Sequence, residues 1–426
     1  MSAESRTRAV LDESVRASIV EARSAPPALF AADGTPHNMS AYHFGRLLRR
    51  LRILRWLDRF RFDSLVDVAS GFDCYPFLAR QRYGVDAYYS DMVHRVNMPF
   101  GGPWFGRLDR AVTLQLPRLP FRDDAFDVVL CSEVLEHLVR PVEALAELLR
   151  VARKYVIVTS LEALSTNRWE RWRSHVTVDV TVPHAERNFF LLSDFHALFG
   201  ADLLHEPLQG ATTLPANPFV PAAQQAAAYA GLDTRVALEA ALCRALTTAP
   251  GGRSAMGIVL VKARPGAVVA PPTPESDAEL ATWLIDLAVR EEEHVRRTLA
   301  MAGSMRERFP ADLADAIVRR PVSESLRTRL CCPDCRGELA PQGVGLRCTT
   351  CAQRFGSQFG VPILYPTRPP DDSALGEAVD RLCGSDGRRR KTVNRLAARL
   401  RRAEHPPDAL RRFAARVARR GRANSE

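Results

Sequence analysis

Apolar residues in the first two thirds of the chain form short runs that alternate with helical patterns. The first run, Leu65–Val68, passes through the small-residue turn Ala69–Asp73 into a helix predicted over Pro76–Gln81. A second strand, Ala87–Ser90, ends at Asp91. Strands that alternate with helices predict an α/β fold with a doubly wound, mainly parallel sheet.

The pattern on either side of this unit adds a helix, a strand and a linker. Ser40–Phe60 repeats apolar residues with the helical period, which favours a packing helix with solvated arginines over a nucleic-acid surface. Met256–Lys262 is expected to be the last strand, antiparallel at the edge of the sheet. The proline-rich segment Pro265–Pro274 predicts a linker after it.

The turn after the first strand and the acid after the second suit a nucleoside. A side chain at Gly71 would hold a ligand away from the backbone, and Asp91 can accept hydrogen bonds from both ribose hydroxyls. The predicted unit is therefore a candidate nucleotide-binding site.

A longer signature follows in the motifs Leu119–Phe121, Phe126–Asp127 and Leu135–His137. Together with Asp67 near the end of the first strand, these motifs resemble the class I S-adenosylmethionine-dependent methyltransferases over about residues 62–262. The resemblance implies a Rossmann-like methyltransferase sheet and S-adenosylmethionine as cofactor. It implies cofactor contacts from Asp67, Ala69, Gly71, Asp73, Asp91, Gln115 and Ser132.

Three of these positions depart from the family pattern. Ala69 and Asp73 stand where the family usually has glycine, and Gln115 replaces the acid that meets the adenine amine. The carboxylate of Asp73 could pair with the ammonium group of the cofactor or narrow the site. An amide can still bond to the adenine amine, but without charge assistance.

His137 is the candidate catalytic base. Imidazole titrates near neutral pH, as a hydroxyl substrate that loses its proton during methyl transfer would require. The alternative is a structural histidine that fixes the turn between strand and helix. The resemblance also implies substrate contacts in the region of Trp169, His175, His184 and Arg187.

Four cysteines near the carboxyl end have the spacing of a metal site. Cys332 and Cys335 form one Cys-x-x-Cys pair, and Cys348 and Cys351 form a second pair after twelve intervening residues. Two such pairs can place four thiolates in a tetrahedron, the geometry of a structural zinc site with no open position for water. Four ordinary thiols are the alternative, and Cys331 is a spare neighbour.

The surroundings of these cysteines, from about Leu330 to Pro366, resemble the small zinc-ribbon proteins that activate tRNA, ribosomal RNA and release-factor methyltransferases. Those activators act on a separate chain, whereas here the ribbon shares a chain with the methyltransferase-like segment. The sequence hypothesis is that the ribbon docks on that segment and stabilises it.

The net charge of +10 belongs to the carboxyl-terminal tail. From Arg381 onward there are fifteen Lys or Arg and four Asp or Glu, a net +11, so the first 380 residues carry a net −1. The tail could bind RNA, an acidic membrane surface or an acidic partner, with a solvated tail slightly favoured. No apolar run approaches the roughly 20 residues of a membrane helix, and the start lacks a signal-peptide core, so a cytoplasmic protein is expected.

The sequence therefore predicts a sheet domain with two smaller carboxyl-terminal parts. The expected function is methyl transfer from S-adenosylmethionine to an O or N acceptor on a small molecule or glycan. RNA methylation and a non-catalytic scaffold role with a degenerate cofactor site are the alternatives. The expected divisions are an N-terminal helical region (1–60), the methyltransferase domain (61–264), linker and helices (265–329), the zinc ribbon (330–367) and the basic tail (368–426).

Overall fold

The fold was analysed in a computed structural model of the 426-residue chain. The structure describes residues 41–70, 75–92, 108–160, 188, 190–209, 255–271, 279–283, 322–358, 360–367 and 373–402. Within these residues, no helix is both long enough and apolar enough to cross a membrane.

A nine-stranded sheet forms the centre of the molecule, and a three-stranded sheet lies beside it. The strands are Ser64–Val68 (β1), Asp86–Asp91 (β2), Ala111–Leu114 (β3), Phe126–Ser132 (β4), Ala152–Ser160 (β5), Leu204–Gln209 (β6), Ala255–Ala263 (β7), Leu339–Gln342 (β8), Gly345–Cys348 (β9), Arg354–Phe355 (β10), Ser357–Gln358 (β11) and Val361–Leu364 (β12). The large sheet has the order β11-β12-β3-β2-β1-β4-β5-β7-β6.

The direction of the chain through this sheet confirms the doubly wound α/β prediction. From β1 the chain moves outward to β2 and β3, then returns to the other side of β1 for β4 and β5, all in parallel. The order of strands therefore reverses between β1 and β4. In such sheets, ligands bind in the crevice at the carboxyl ends of the strands where this reversal occurs.

Helices cover the sheet because parallel strands must be buried on both faces. The helices are Ala41–Leu57 (α1), Tyr75–Tyr83 (α2), Pro141–Val151 (α3), Leu192–Phe199 (α4), Glu324–Arg327 (α5), Ser373–Cys383 (α6) and Gly387–Arg402 (α7), with 3-10 turns at Leu108–Arg110 and Leu135–His137. Every residue of α3 is buried, and β1 and β4 are buried along their whole length.

Helix α1 packs as its apolar pattern predicts, but its arginines are not simply solvated. Leu51, Leu54 and Leu57 are fully buried, and Arg52 is only 2% exposed. Arg52 pairs with Glu206 of β6. The expectation of solvated arginines was therefore wrong for Arg52, because a carboxylate on a distant strand meets it inside the packed layer.

The end of the sheet also differs from the prediction. Strand β7 is antiparallel to β5, as expected, but it is not at the edge, because β6 pairs with its other side. Leu208 lies inside β6, opposite Gly257 of β7. The periodicity of Leu204–Gln209 is too short to distinguish an edge strand from a loop.

The segment with the four candidate ligands, residues 330–358 and 360–367, is called the cysteine module below. Strands β8, β9 and β10 form its own antiparallel sheet. Its last strand, β12, instead joins the large sheet beside β3, in parallel, with Ile363 opposite Thr113 and Leu364 opposite Leu114. The contact expected between this segment and the sheet domain is therefore made by a shared strand.

Part of the basic tail is folded against the sheet domain. Helix α6 contacts α3, and α7 contacts α4. Val393, Leu396 and Leu400 form an apolar face of α7 and are all buried. A solvated tail, the interpretation slightly favoured from charge, is therefore wrong for residues 373–402, because the charged residues share this helix with a continuous apolar face.

Several predicted features lie outside the described residues. They include Gly71 and Asp73 of the turn, the substrate region with Trp169, His175, His184 and Arg187, and residues 403–426 of the tail.

Candidate cofactor site and metal centre

Residues at the carboxyl ends of the central strands form one row across the sheet. Asp91 of β2 lies opposite Thr113 of β3, and Ser132 of β4 lies opposite Thr159 of β5. Strand β1 lies between β2 and β4, with Val68 opposite Ser90 and Asp67 opposite Leu130. Continuing these two registers past the end of β1 places Ala69 level with both Asp91 and Ser132. Three of the predicted site residues therefore share one row at the reversal point of the sheet.

Hydrogen bonds to β2 hold the turn that begins at Ala69. The backbone N–H of Ser70 donates to the carbonyl of Ser90 at 2.8 Å. The hydroxyls of Ser70 and Ser90 both donate to the carbonyl of Asp67, each at 2.9 Å. Ala69 has a φ of 62°, in the left-handed region that favours glycine. The backbone thus keeps the conformation of a glycine turn although the residue is alanine.

The two predicted acids have different surroundings. Asp67 is 1% exposed within β1, whereas Asp91 is partly exposed at the end of β2. Burial, and then the charge of Asp67, raise the pKa of the Cys131 thiol on the neighbouring strand. Asp67 is therefore an internal carboxylate beneath the row, whereas Asp91 lies at the partly exposed end of its strand.

Beyond β4 the backbone turns sharply at Glu133, which has a φ of 56°. The hydroxyls of Ser132 and Thr159 are 2.8 Å apart, and the Glu133 N–H donates to the Thr159 carbonyl at 2.9 Å. Glu133 Oε2 lies 3.6 Å from Nη1 of Arg49 on α1. Its other oxygen, Oε1, is buried and has no hydrogen-bond partner among the described residues.

His137 lies in the 3-10 turn between β4 and α3. Its side chain is 26% exposed, and Nε2 is 4.0 Å from Oε1 of Glu136. Glu136 is 1% exposed and accepts a hydrogen bond from the Ser160 hydroxyl at 3.1 Å. Burial, and then the charge of Glu133, raise the pKa of Glu136 to about 8. Glu136 is consequently mainly protonated at neutral pH.

Asn188 fixes the position of this turn from a distant part of the chain. Its Nδ2 donates to the carbonyl of Leu135 at 2.8 Å and also to that of Leu138, and its backbone N–H donates to the Glu136 carbonyl at 2.9 Å. Asn188 is 4% exposed, so these bonds are shielded from water. No local sequence pattern indicates this role, because the partners are about fifty positions apart.

Gln115 follows β3 directly and is exposed at the same edge of the sheet. It makes an isolated antiparallel bridge with Arg118. The amide is thus available where the family acid would stand, two residues beyond the row.

The four predicted metal ligands lie together. The sulfur atoms of Cys332, Cys335, Cys348 and Cys351 are all within 4.8 Å of one another. The Cys332–Cys351 and Cys335–Cys348 sulfur distances are 3.7 and 3.4 Å. A tetrahedral zinc ion with Zn–S bonds of about 2.3 Å would separate its sulfurs by about 3.8 Å. Cys331 is outside the cluster and buried, and its N–H donates to the carbonyl of Pro120.

Backbone donors also favour a thiolate in this cluster. The N–H groups of Thr350 and Cys351 both point at Sγ of Cys348, each at 3.4 Å. Hydrogen bonds to the charged form of a ligand stabilise it and orient it toward a metal. The residues present therefore fit a four-thiolate structural ion.

Comparison with known proteins gives one family match. Residues 68–158 match a family model described as a methyltransferase domain. This span runs from the end of β1 to the end of β5 and contains Asp91, Gln115, Ser132 and His137. A search of curated proteins found no significant match.

Solved structures with a similar fold come from several organisms. One is a complex containing the Haloferax volcanii Trm112 methyltransferase activator, with 15% identity, 54% of this chain and 94% of the other covered, and a TM-score of 0.33. A second is an S-adenosylmethionine-dependent methyltransferase from Archaeoglobus fulgidus (17% identity, 52% and 94% covered, TM-score 0.32). A third is the Haemonchus contortus phosphoethanolamine N-methyltransferase 2 (12% identity, 54% and 58% covered, TM-score 0.34).

Proposed function

We propose that this chain is an S-adenosylmethionine-dependent methyltransferase with a structural zinc ion. The observation that carries the proposal is the row at the carboxyl edge, where Ala69, Asp91 and Ser132 lie level at the reversal point of a doubly wound sheet. The match of residues 68–158 to a methyltransferase domain supports the same cofactor.

The described residues offer groups that suit each part of the cofactor. Asp91 would accept hydrogen bonds from the ribose hydroxyls, and Gln115 would meet the adenine amine. Oε1 of Glu133, buried and without a described partner, would accept a bond from the ammonium group. Asp67 and Ser132 would support the turn and the methionine end, together with Gly71 and Asp73, which lie outside the described residues. When bound, S-adenosylmethionine supplies an electrophilic methyl group on its sulfonium.

His137 would act on the acceptor. Its imidazole is partly exposed beside the row, while Glu136 behind it is held mainly in the neutral form. Imidazole is the side chain whose ordinary pKa allows it to accept a proton near neutral pH. The remaining contribution of the site is to hold the acceptor in line with the methyl group.

We favour an O or N acceptor on a small molecule or glycan, because the first 380 residues are nearly neutral. RNA is the second candidate acceptor. Helix α7 supports it with Arg388, Lys391 and Arg395, exposed cations spaced by three and four residues along one helix. A non-catalytic scaffold is the remaining alternative, since Ala69 and Asp73 alter the glycine turn.

Zinc would stabilise the cysteine module, and the module would stabilise the sheet through β12. A cytoplasmic location suits this proposal, because a reducing compartment keeps the four thiols available for a metal. Metal analysis of the purified protein should give about one zinc per chain, lost in Cys335→Ser with Cys331→Ser as the matched control. Equal zinc in both variants would contradict the ligand assignment.

Methyl transfer from isotopically labelled S-adenosylmethionine tests the function. The full-length protein is incubated with separate small-molecule, glycan and RNA fractions, and His137→Ala is run beside the wild type. The proposal is supported if label enters the small-molecule or glycan fraction and the rate of labelling is lower by about 10²-fold or more in the variant. Label only in RNA would select the second candidate, and no label in any fraction would favour the scaffold.

A further inference from the structure

The cysteine module reaches the predicted cofactor site through the residue that follows its last strand. Leu364 of β12 is paired with Leu114 of β3, so Tyr365 lies level with Gln115 at the carboxyl edge. The Tyr365 hydroxyl donates a hydrogen bond to the backbone carbonyl of Met92, the residue after Asp91. A residue about 270 positions away in sequence is thereby fixed beside the proposed ribose acceptor.

Two apolar side chains are exposed at this place. Met92 is 56% exposed and Tyr365 is 37% exposed, and both belong to the small set of large hydrophobic residues that are exposed within the described part of the chain. Burial, and then the charge of Asp91, raise the pKa of the Tyr365 phenol, as expected for a ring close to that carboxylate. An open apolar surface beside one carboxylate and one amide has the composition of a small-molecule site.

The chemistry of this surface matches the base of a nucleoside. A purine has two flat apolar faces and a polar edge, and a tyrosine ring offers a flat surface with low rotational freedom. If Asp91 binds the ribose hydroxyls, the base must lie close to Asp91, because the base is bonded directly to the ribose ring. Met92, Gln115 and Tyr365 directly follow β2, β3 and β12 on this side of Asp91.

We infer that Tyr365 of the cysteine module forms one wall of the adenosine-binding site. The inference rests on the proposed cofactor and deepens it, because the site would be built from both the sheet domain and the metal-bearing module. Tyr365 would be a cofactor-binding residue, and the bond from its hydroxyl to Met92 would hold the ring in place. Metal in the module and cofactor in the sheet would then stabilise each other through β12.

Calorimetric titration with S-adenosylhomocysteine tests the inference in the full-length, zinc-loaded protein. Tyr365→Ala should weaken binding by about tenfold, since removing an aromatic ring that stacks on a base typically has an effect of this order. Tyr365→Phe keeps the ring and should weaken binding by less than about fivefold. Val344→Ala is the matched control, because Val344 is 77% exposed on the same module and outside β12.

An alanine variant that binds within twofold of the wild type would overturn the inference and leave the proposed function standing. Wild-type protein that binds no S-adenosylhomocysteine would overturn both. Zinc content and melting temperature are measured for each variant, to detect a folding defect. If Tyr365→Ala is misfolded, fluorine NMR of wild-type protein labelled with 3-fluorotyrosine decides. The fluorine resonance that is absent from the spectrum of Tyr365→Phe belongs to Tyr365. This resonance should shift when S-adenosylhomocysteine is added and not when methionine is added. A resonance that shifts with neither ligand would refute the inference.

Discussion

Replacing Glu147 by glutamine should destabilise the contact between the cysteine module and the sheet domain. Glu147 on α3 is paired with Arg150 in a bidentate arrangement, with donor distances of 2.8 and 2.7 Å. Arg336, which directly follows the ligand Cys335, donates to the same carboxylate at 2.8 Å. One carboxylate therefore joins the body of the domain to the metal turn.

The expected loss follows from the burial of this network. The Arg150 side chain is 1% exposed and that of Glu147 is 11% exposed, and breaking such a buried pair costs about 3–5 kcal/mol. Glutamine keeps one acceptor oxygen, and Arg150 keeps the carbonyls of Leu119 and Phe121. We therefore expect a loss of about 2–3 kcal/mol in the free energy of unfolding.

Urea unfolding at neutral pH measures this loss, with Asp123→Asn as the control. Asp123 pairs with the same Arg150, but it is 65% exposed, so its replacement should cost less than about 1 kcal/mol. Burial alone would raise the pKa of Glu147, yet the donors of Arg150 lower it below its usual 4.5. Its contribution is thus present above pH 4.5 and is lost as the pH falls further. Equal stabilities of the two variants would refute this reasoning.

Three further predictions concern the turn, the buried acid and the metal. Ala69→Gly should stabilise the protein by about 0.5–1 kcal/mol, because glycine adopts a positive φ without strain. The control Ala79→Gly, within α2, should destabilise the protein by about 1 kcal/mol or more. Urea midpoints of the two variants that shift in the same direction would contradict this prediction. Glu136 has a folded pKa raised from 4.5 to about 8, so its contribution to stability is full below pH 4.5 and falls as the pH rises to 8. Glu136→Gln should remove this slope, and an unchanged pH profile of the melting temperature would refute the burial argument. Chelation of the metal should lower the melting temperature of the full-length protein, and restored zinc should reverse the change; an identical melting curve without metal would contradict a structural ion.

Local pattern was sufficient to predict the parts of the fold that are formed by neighbours in sequence. The strand that contains Asp67, the following helix, the acid at the end of β2 and the cluster of four cysteines are all where spacing places them. Features that depend on distant pairing were not predictable in this way. The insertion of β7 between β5 and β6 and the pairing of β12 with β3 join segments that have no shared periodicity.

The same distinction applies to the candidate site. The motif Leu135–His137 signals the edge of the sheet, but burial of Glu136 beside Ser160, and the bonds of Asn188 to the turn, exist only in the folded chain. Arg52 illustrates the converse error, since charge suggested solvent exposure and a distant Glu206 allowed burial. Charge and pattern report what a residue prefers, whereas its partner decides where it lies.

Calorimetric titration of the zinc-loaded protein with S-adenosylmethionine and S-adenosylhomocysteine tests the central claim most directly. Asp91→Ala removes the proposed ribose acceptor, and Asp86→Ala removes a partly exposed acid at the opposite end of the same strand. We expect micromolar binding by the wild type and by Asp86→Ala, and loss of binding in Asp91→Ala. A folded, zinc-loaded wild type that binds neither ligand would contradict a cofactor site at this edge of the sheet.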